Sequence, residues 1–313
     1  MARRAMRVSA AMLCAASWAV GLPAQQPPPV FRGGIDLVNI AVTVTDRKGT
    51  LVTDLTADDF EVYEDGRKQA VTYFSRGDAA DGPAPEMHLG LLLDVSGSME
   101  DDLAFSKTAA VKFLNTLTDA KDVTVVDFDM EIRAARYGQA EFARLIERIR
   151  QKKAGGETAI YDAVGVYLDG ADGQTGRKIM LLYTDGGDTR SSLPLRELMD
   201  LLKASDVTMY AIGELEHQPW SVKSQQRMVL QQMAEVTGGQ AFFPTSTRQL
   251  DDVYQTVLSQ VRAQYTLGYT STNLKTDGGW RKVELRLAHR DERGVRLRAR
   301  KGYFSPYKPP YKP

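Results

Sequence analysis

Three oxygen-bearing side chains follow one short apolar segment of this sequence. The segment 89–93 reads Leu-Gly-Leu-Leu-Leu, and Asp94, Ser96 and Ser98 come after it at alternate positions. Alternation along an extended chain brings side chains to one side, so these three can face a common ligand. Carboxylate and hydroxyl oxygens are ligands of hard divalent cations. The spacing is typical of part of a cation site, although Asp-Ser-Gly loops also follow many strands that bind nothing.

Two later segments supply the same kinds of oxygen. Thr158 opens a predicted helix after Gly155-Gly156-Glu157, and Asp185 follows the apolar run 178–184. Ligands of open α/β sheets bind outside the carboxyl ends of the strands, where these groups would meet. Two carboxylates and three hydroxyls suit Mg²⁺, with Mn²⁺ or Ca²⁺ as alternatives. The sequence therefore predicts one metal site formed by Asp94, Ser96, Ser98, Thr158 and Asp185.

Composition argues against several other kinds of chemistry. The single cysteine, Cys14, rules out internal disulfides and a thiolate zinc cluster. The three histidines, His88, His217 and His289, lie far apart and form no H-E-x-x-H motif. Forty Lys and Arg balance forty Asp and Glu, which argues against recruitment to nucleic acid or to a membrane by bulk charge.

Strands and helices alternate between residues 87 and 263. Apolar runs predict strands at 89–94, 123–128, 178–184, 207–212 and 241–243. Helical periodicity appears at 103–117, 142–149, 160–168, 195–202, 228–236 and 250–261. Such alternation predicts a doubly wound α/β domain, whose mostly parallel sheet is covered on both faces.

Segments of β character flank this predicted α/β domain on both sides. Residues 35–76 and 264–304 are rich in alternating and β-branched residues with turn signals between them. Each set alone would make a thin core, so we expect the two to pack into a small β sandwich with the α/β domain inserted. Linkers are predicted at 25–34 and 77–86, and the proline-rich tail 305–313 is expected to be extended.

The N-terminus has the pattern of a secretory signal peptide. Arg3, Arg4 and Arg7 precede a short apolar stretch, and a small residue, Ala24, precedes a polar segment. We predict cleavage after residues 1–24, with an uncleaved anchor helix as the alternative. No later stretch is long and apolar enough to cross a bilayer. The mature chain is therefore expected in the periplasm, at the cell surface or outside the cell.

These motifs together resemble a known family, the von Willebrand factor A-like domains with a metal-ion-dependent adhesion site. The resemblance is carried by D-V-S-G-S-M at 94–99, G-G-E-T-A-I-Y-D-A at 155–163 and Y-T-D-G-G-D-T at 183–189. With Y-T-L-G-Y at 265–269 and R-K-G-Y-F at 300–304, the whole chain resembles the exported family members named after acidobacteria.

The resemblance implies how the cation would be held. Ser96, Ser98 and Thr158 would touch the metal directly, whereas Asp94 and Asp185 would act mostly through water. Neutral hydroxyl ligands cancel little of the cation's charge, so an outside carboxylate is a natural further ligand. We therefore expect an exported, non-enzymatic binding or adhesion module that captures an Asp or Glu of a partner protein.

Two alternative functions remain open at this point. A metal-dependent hydrolase would need a general base, for which Asp185, Asp188 or Glu157 are the candidates. A structural envelope protein would use the metal only to stiffen its loops. Asp188 and Asp162 would either orient the groups that bind the metal or form hydrogen bonds with the local backbone. The sequence identifies neither the partner nor the oligomeric state.

Overall fold

A computed structural model describes most of the chain that follows the predicted signal peptide. The described residues are 37–77, 86–100, 102–116, 119–185, 187–216, 218–288 and 294–306. The predicted signal peptide 1–24, the linker 25–34, most of the linker 77–86 and residues 307–313 of the tail lie outside them.

The described residues form the strands and helices on which the site depends. The strands are β1 (Leu37–Asp46), β2 (Phe60–Glu64), β3 (Arg67–Gln69), β4 (Val71–Ser75), β5 (Met87–Asp94), β6 (Ala120–Phe128), β7 (Ile132–Gly138), β8 (Arg177–Thr184), β9 (Thr208–Gly213), β10 (Gln240–Phe242), β11 (Tyr265–Thr270), β12 (Trp280–Leu287), β13 (Val295–Arg298) and β14 (Gly302–Phe304). The helices are α1 (Leu103–Thr116), α2 (Phe142–Gln151), α3 (Ile160–Ala171), α4 (Leu195–Ala204), α5 (Trp220–Val236) and α6 (Thr247–Ala263).

A six-stranded sheet in the order β10-β9-β8-β5-β6-β7 forms the centre of the α/β region. Its strands are parallel except β7, which pairs antiparallel with β6 at the edge. This arrangement confirms the predicted fold class. The sequence analysis did not find β7, because its segment Ile-Arg-Ala-Ala-Arg-Tyr-Gly lacks the dense apolar or β-branched pattern of a buried strand.

Helices cover both faces of the central sheet, as a doubly wound fold requires. On one face, Phe113 of α1 and Val257 of α6 pack in a core with Leu91 of β5. On the other face, Val164 of α3 packs in a core with Leu92 of β5. All eight residues of β5 are buried, as expected for a central strand between two layers of helices.

The flanking β segments form two antiparallel sheets, as the fold-class prediction expects. One has the order β13-β1-β11-β4 and the other β14-β12-β2-β3. Strand β11, which follows the α/β region, lies between β1 and β4, which precede it. Ile40, Val62, Leu267 and Val283 from the two sheets share one buried core. The α/β region is therefore an insertion into a β sandwich.

Ala70 separates β3 from β4 within the β segment that the sequence analysis placed at 35–76. Asp65 and Gly66 both have positive φ, which suits a tight hairpin between β2 and β3. Strand β4 then crosses to the other sheet and pairs with β11.

Replacement of Gly90 by Ala should destabilise the fold, because β5 has no space there for a side chain. A Cβ at Gly90 would lie 2.2 Å from the ring of Tyr167, which is buried and donates a hydrogen bond to the carbonyl oxygen of Ile179. Overpacking of this kind costs about 1–3 kcal/mol. Urea denaturation of Gly90→Ala measures the loss in free energy of unfolding.

Gly170→Ala in α3 is the matched control for this prediction. A Cβ at Gly170 would meet nothing within 4 Å, and Ala is favoured over Gly in a helix by about 1 kcal/mol. Gly170→Ala should therefore be at least as stable as the unsubstituted protein. Equal stability of Gly90→Ala and Gly170→Ala would contradict the packing described at Tyr167.

Candidate metal site

The predicted ligands lie at the carboxyl edge of the central sheet, where the strand order reverses. From β5 the chain passes through α1 to β6 on one side, and it returns later to β8 on the other side. The loops that follow β5 and β8 therefore diverge, which leaves a crevice between them. Asp94 ends β5, and Asp185 follows the last residue of β8.

Asp94 is a buried carboxylate held in place by two hydrogen bonds. Its Oδ1 accepts from the backbone N–H of Ser96 at 2.9 Å, and its Oδ2 accepts from Thr184 Oγ1 at 2.6 Å. Burial raises the pKa of Asp94 to about 6, and the nearby charge of Asp185 also raises it. Asp94 forms no ion pair with a described basic side chain. A cation at this position would therefore stabilise the ionised carboxylate.

Hydroxyl groups connect the loop after β5 to the loop after β8. Ser96 Oγ lies 3.1 Å from Ser98 Oγ, and Ser98 Oγ donates to Asp185 Oδ1 at 3.0 Å. A hydroxyl has one proton to donate, so Ser96 must donate to Ser98. Both hydroxyl oxygens keep lone pairs that a cation can use. Four of the five predicted ligands are thus brought together through direct hydrogen bonds.

Thr158, the fifth predicted ligand, lies on the loop between α2 and α3. Backbone hydrogen bonds join this loop to the loop that follows β5. Gly155 N–H donates to the carbonyl oxygen of Val95, and Gly97 N–H donates to that of Gly156, both at 2.9 Å. Among the described residues, the hydrogen bonds of Thr158 run to the loop after β8 and not to the other four ligands. The backbone therefore brings this loop to the site without fixing its hydroxyl to the others.

Two threonines that the sequence analysis did not include position the ligands. Thr184 donates to Asp94, as described above, and Thr189 Oγ1 accepts from the backbone N–H of Thr158 at 2.9 Å. Thr189 N–H also donates to the carbonyl oxygen of Thr158 at 2.9 Å. Their place in the string Y-T-D-G-G-D-T was the available signal, but only the folded loop shows which group each one contacts.

Asp188 and Asp162 serve the local backbone. Asp188 accepts from the N–H of Tyr161 at 3.2 Å, in the first turn of α3, and from the N–H of Ser191 at 3.2 Å. Asp162 accepts from the N–H of Leu193 at 2.8 Å. Both acids therefore hold the loop between β8 and α4 against the start of α3, where Thr158 must be placed.

Glu157, the acid beside Thr158, forms an exposed ion pair with Arg190. Its carboxylate lies 3.7 Å from the guanidinium of Arg190, and both side chains are more than half exposed. An exposed pair of this kind contributes little to stability. The acid next to Thr158 is therefore part of the rim, and it does not compete with an outside carboxylate from within the crevice.

A second buried carboxylate, Asp127, lies one residue before the end of β6. It contacts Arg133 at 2.9 Å, and Arg148 and Lys152 at 2.5 Å each. Burial alone would raise the pKa of Asp127, but hydrogen bonds from Lys152, Arg148 and Arg133 lower it below its usual value. Lys152 follows α2 and opens the loop that carries Thr158, so this ion cluster anchors that loop.

The donor chemistry at the crevice fits a hard divalent cation. Two carboxylates and three hydroxyls are available, and the residues of the described ranges contain no cluster of three or more His, Cys, Asp or Glu that could hold a metal. The five candidate side chains offer oxygen atoms only, and hard cations prefer oxygen ligands. Oxygen ligands with one buried, unneutralised carboxylate suit Mg²⁺, Mn²⁺ or Ca²⁺.

Comparisons with known proteins agree with this architecture. A family model described as the von Willebrand factor type A domain matches residues 88–256. A solved structure of a von Willebrand factor type A protein from Catenulispora acidiphila has a TM-score of 0.50 at 14% identity, and the match covers 82% of this chain and 76% of that chain. No curated protein sequence matches the chain.

A second similar structure is proximal thread matrix protein 1 from the mussel byssus, described with a zinc-occupied MIDAS motif. Its TM-score is 0.45 at 18% identity, over 60% of this chain and 48% of that chain. This chain thus spans about half the length of the mussel protein.

In the described part of the chain, no helix is both long and apolar enough to cross a membrane.

Replacement of Asp127 by Asn should destabilise the fold and change its pH dependence. The change leaves three partly exposed cations without their shared buried carboxylate. Breaking a fully buried pair costs about 3–5 kcal/mol, and because solvent reaches these cations the loss should fall below that range. Because the pKa of folded Asp127 is lowered, the ionised group stabilises the fold above its ordinary pKa of 3.8. That contribution is lost as the pH falls through the lower, folded value.

Urea denaturation at pH 7 and pH 3 checks this prediction. The difference in free energy of unfolding between Asp127→Asn and the unsubstituted protein should be largest at pH 7 and smaller at pH 3. Asp251→Asn is the control, because Asp251 pairs with Lys112 at an exposed site and should cost less than about 1 kcal/mol. Equal losses for the two variants at pH 7 would contradict the anchoring role.

Proposed function

Because the chain belongs to the family of von Willebrand factor type A domains, we propose that it is an exported module for cation-dependent protein binding. The cation would lie at the carboxyl edge of the central sheet and bind an acidic group of a partner. The observation that carries the proposal is the hydrogen-bonded set Asp94, Ser96, Ser98 and Asp185, which lies beside the loop of Thr158.

The chemistry of the ligands favours capture of an outside carboxylate. When bound, the cation supplies a positive charge that hydroxyl ligands cancel only slightly, and Mg²⁺ prefers six oxygen ligands. Asp94 and Ser96 are buried, whereas Ser98 is exposed. The crevice therefore has a floor of buried oxygens and an open side, through which an Asp or Glu of a partner protein can approach.

We propose a binding role without catalysis. A hydrolase would need a general base close to the cation, and the sequence offered Asp185, Asp188 and Glu157. Asp188 accepts backbone hydrogen bonds at the start of α3, and Glu157 pairs with Arg190 at the exposed rim. Asp185 accepts a hydrogen bond from the hydroxyl of Ser98, which suits a carboxylate that orients the ligands of a cation.

The location of the partner follows from the N-terminus. Residues 1–24 have the composition of a secretory signal peptide, so the partner is proposed to be a protein of the periplasm, the cell surface or the extracellular space. The structural alternative, in which the cation only stiffens the loops, shares the metal but lacks the partner. Metal binding and partner capture therefore need separate experiments.

Mg²⁺, Mn²⁺ or Ca²⁺ should bind the folded protein and raise its melting temperature. A ligand at 100 times its Kd stabilises the native state by about 2.7 kcal/mol. Ser96→Ala should weaken the binding at least tenfold, because it removes a buried hydroxyl at the centre of the site. Isothermal calorimetry and thermal unfolding with each cation provide the measurement.

Ser224→Ala is the matched control, since Ser224 is an exposed serine on α5 and should leave metal binding unchanged. Circular dichroism establishes that both variants are folded. Flat titrations with all three cations on folded protein would overturn the proposed metal site.

Partner capture should depend on the same cation. Immobilised protein exposed to an envelope extract should retain one or more proteins in Mg²⁺ and release them in EDTA, since the carboxylate contact needs the metal. Ser96→Ala should lose the retained proteins, whereas Ser224→Ala should keep them. If the cation binds and stabilises the fold but no protein is retained in a metal-dependent way, the structural alternative is the correct one.

A further inference from the structure

An exposed ion pair between Glu157 and Arg190 lies beside the predicted metal ligand Thr158. Glu157 directly precedes Thr158 in the chain, and its carboxylate lies 3.7 Å from Nε of Arg190. The side chain of Arg190 is 62% exposed and that of Glu157 is 55% exposed. Solvent, and therefore a partner protein, can reach both charged groups.

Backbone hydrogen bonds fix the position of Arg190 relative to Thr158. The N–H of Arg190 donates to the carbonyl oxygen of Thr158 at 3.1 Å, and the N–H of Thr189 donates to the same oxygen at 2.9 Å. The guanidinium of Arg190 therefore lies within one side-chain length of a residue proposed to bind the cation. Because the backbone of both residues is held, the distance between this positive charge and the metal site depends only on the rotamer of Arg190.

An exposed strip of backbone connects the open side of the metal site to this ion pair. Gly97 and Ser98 are exposed, and the N–H of Gly97 donates to the carbonyl oxygen of Gly156 at 2.9 Å. Gly156 and Glu157 are exposed as well. A partner chain bound at the cation therefore crosses two glycines on its way to the charged pair, and no bulky side chain of this strip blocks it.

The guanidinium of Arg190 donates no hydrogen bond to a described group. Its distance of 3.7 Å from Glu157 is too long for one, whereas Arg133 and Arg148 donate to the carboxylate of Asp127. A guanidinium carries five N–H donors in a planar fork that matches a carboxylate. An outside carboxylate can therefore bind Arg190 without breaking a hydrogen bond of its guanidinium to the described part of the chain.

We propose that Arg190 binds a second acidic side chain of the partner, close in sequence to the acid that binds the cation. The inference rests on the proposed function, because the cation-bound acid brings the partner to the site. An extended chain advances about 3.3 Å per residue, so the second Asp or Glu lies within about three residues of the first. The site thus distinguishes a partner with two neighbouring acids from a partner with one isolated acid.

Glu157 is an internal competitor in this arrangement. It competes with the second acid of the partner for Arg190, and not with the first acid for the cation. An exposed ion pair contributes little to stability, so the second acid displaces the carboxylate of Glu157 at a small cost. Removal of that carboxylate should increase the preference for a second acid, and removal of the guanidinium of Arg190 should abolish it.

Selection from a random peptide library with one fixed Asp tests the proposal, with a matched library that has Asn at the fixed position. Peptides of the Asp library that bind the full chain in Mg²⁺ and elute with EDTA should be enriched in a second Asp or Glu. A selected peptide and its variant with the second acid replaced by the amide then give a ratio of Kd values by calorimetry. The two-acid peptide should bind about fivefold more tightly, as an exposed ion pair allows.

Three variants and one control assign this ratio of Kd values to Arg190. Arg190→Gln should reduce the ratio to about 1, and Glu157→Gln should raise it above the value of the unsubstituted protein. Arg190→Lys keeps the charge but lacks the planar fork, so it should retain only part of the preference. Arg144→Gln is the matched control, because Arg144 forms an exposed pair with Glu141 at 3.5 Å on α2 and should leave the ratio unchanged. Circular dichroism establishes that each variant is folded.

The outcomes separate this inference from the proposed function. If Arg190 only neutralises Glu157, Arg190→Gln weakens the two-acid and one-acid peptides equally, and an unchanged ratio would overturn the inference. Metal-dependent binding of the Asp library without enrichment of a second acid would also overturn it and leave the proposed function in place. Equal retention of the Asp and Asn libraries by folded protein in Mg²⁺ would overturn the proposed function, and the role of Arg190 with it.

Discussion

The burial of Asp94 without a basic partner among the described residues is the constraint on which the site depends. A buried carboxylate is costly to ionise unless it is paired, hydrogen-bonded or bound to a metal. Here the pairing groups are the N–H of Ser96 and the hydroxyl of Thr184, which orient the carboxylate but bring no positive charge. A bound cation would supply the remaining compensation, and the hydroxyls of Ser96 and Ser98 would share it.

The architecture explains why the other ligands arrive from distant parts of the sequence. The strand order reverses at β5. The loops after β5 and β8 therefore leave the sheet towards opposite faces, and the crevice lies between them. Backbone hydrogen bonds then join the loop of Thr158 to the loop of Ser96. The insertion into a β sandwich leaves this edge intact, because the chain enters the α/β region at the first residue of β5 and Asp94 lies at the other end of that strand.

Sequence reasoning could select the candidate ligands because each follows a recognisable apolar strand or opens a helix, and local patterns report such positions. Alternation of strands and helices likewise predicted the sheet and its insertion. The sequence analysis missed β7 and the change of sheet after Ala70. It also predicted that α5 begins near Met228, whereas the helix begins at Trp220. Strand β7 pairs with its sequence neighbour β6, but its own segment lacks an apolar pattern. The pairing of β4 with β11 and the roles of Thr189 and Asp127 depend on partners in other elements, about which a local pattern carries no information.

Asp94 and Asp127 show why burial of an acid does not by itself identify a cation site. Both are buried near the carboxyl ends of the adjacent strands β5 and β6, with Leu93 opposite Asp127 in the register. Asp127 is surrounded by Arg133, Arg148 and Lys152, whose hydrogen bonds lower its pKa, whereas burial raises the pKa of Asp94. One carboxylate is neutralised by the protein and anchors a loop. The other has only uncharged hydrogen-bond donors among the described residues, so a cation bound there would stabilise its ionised form.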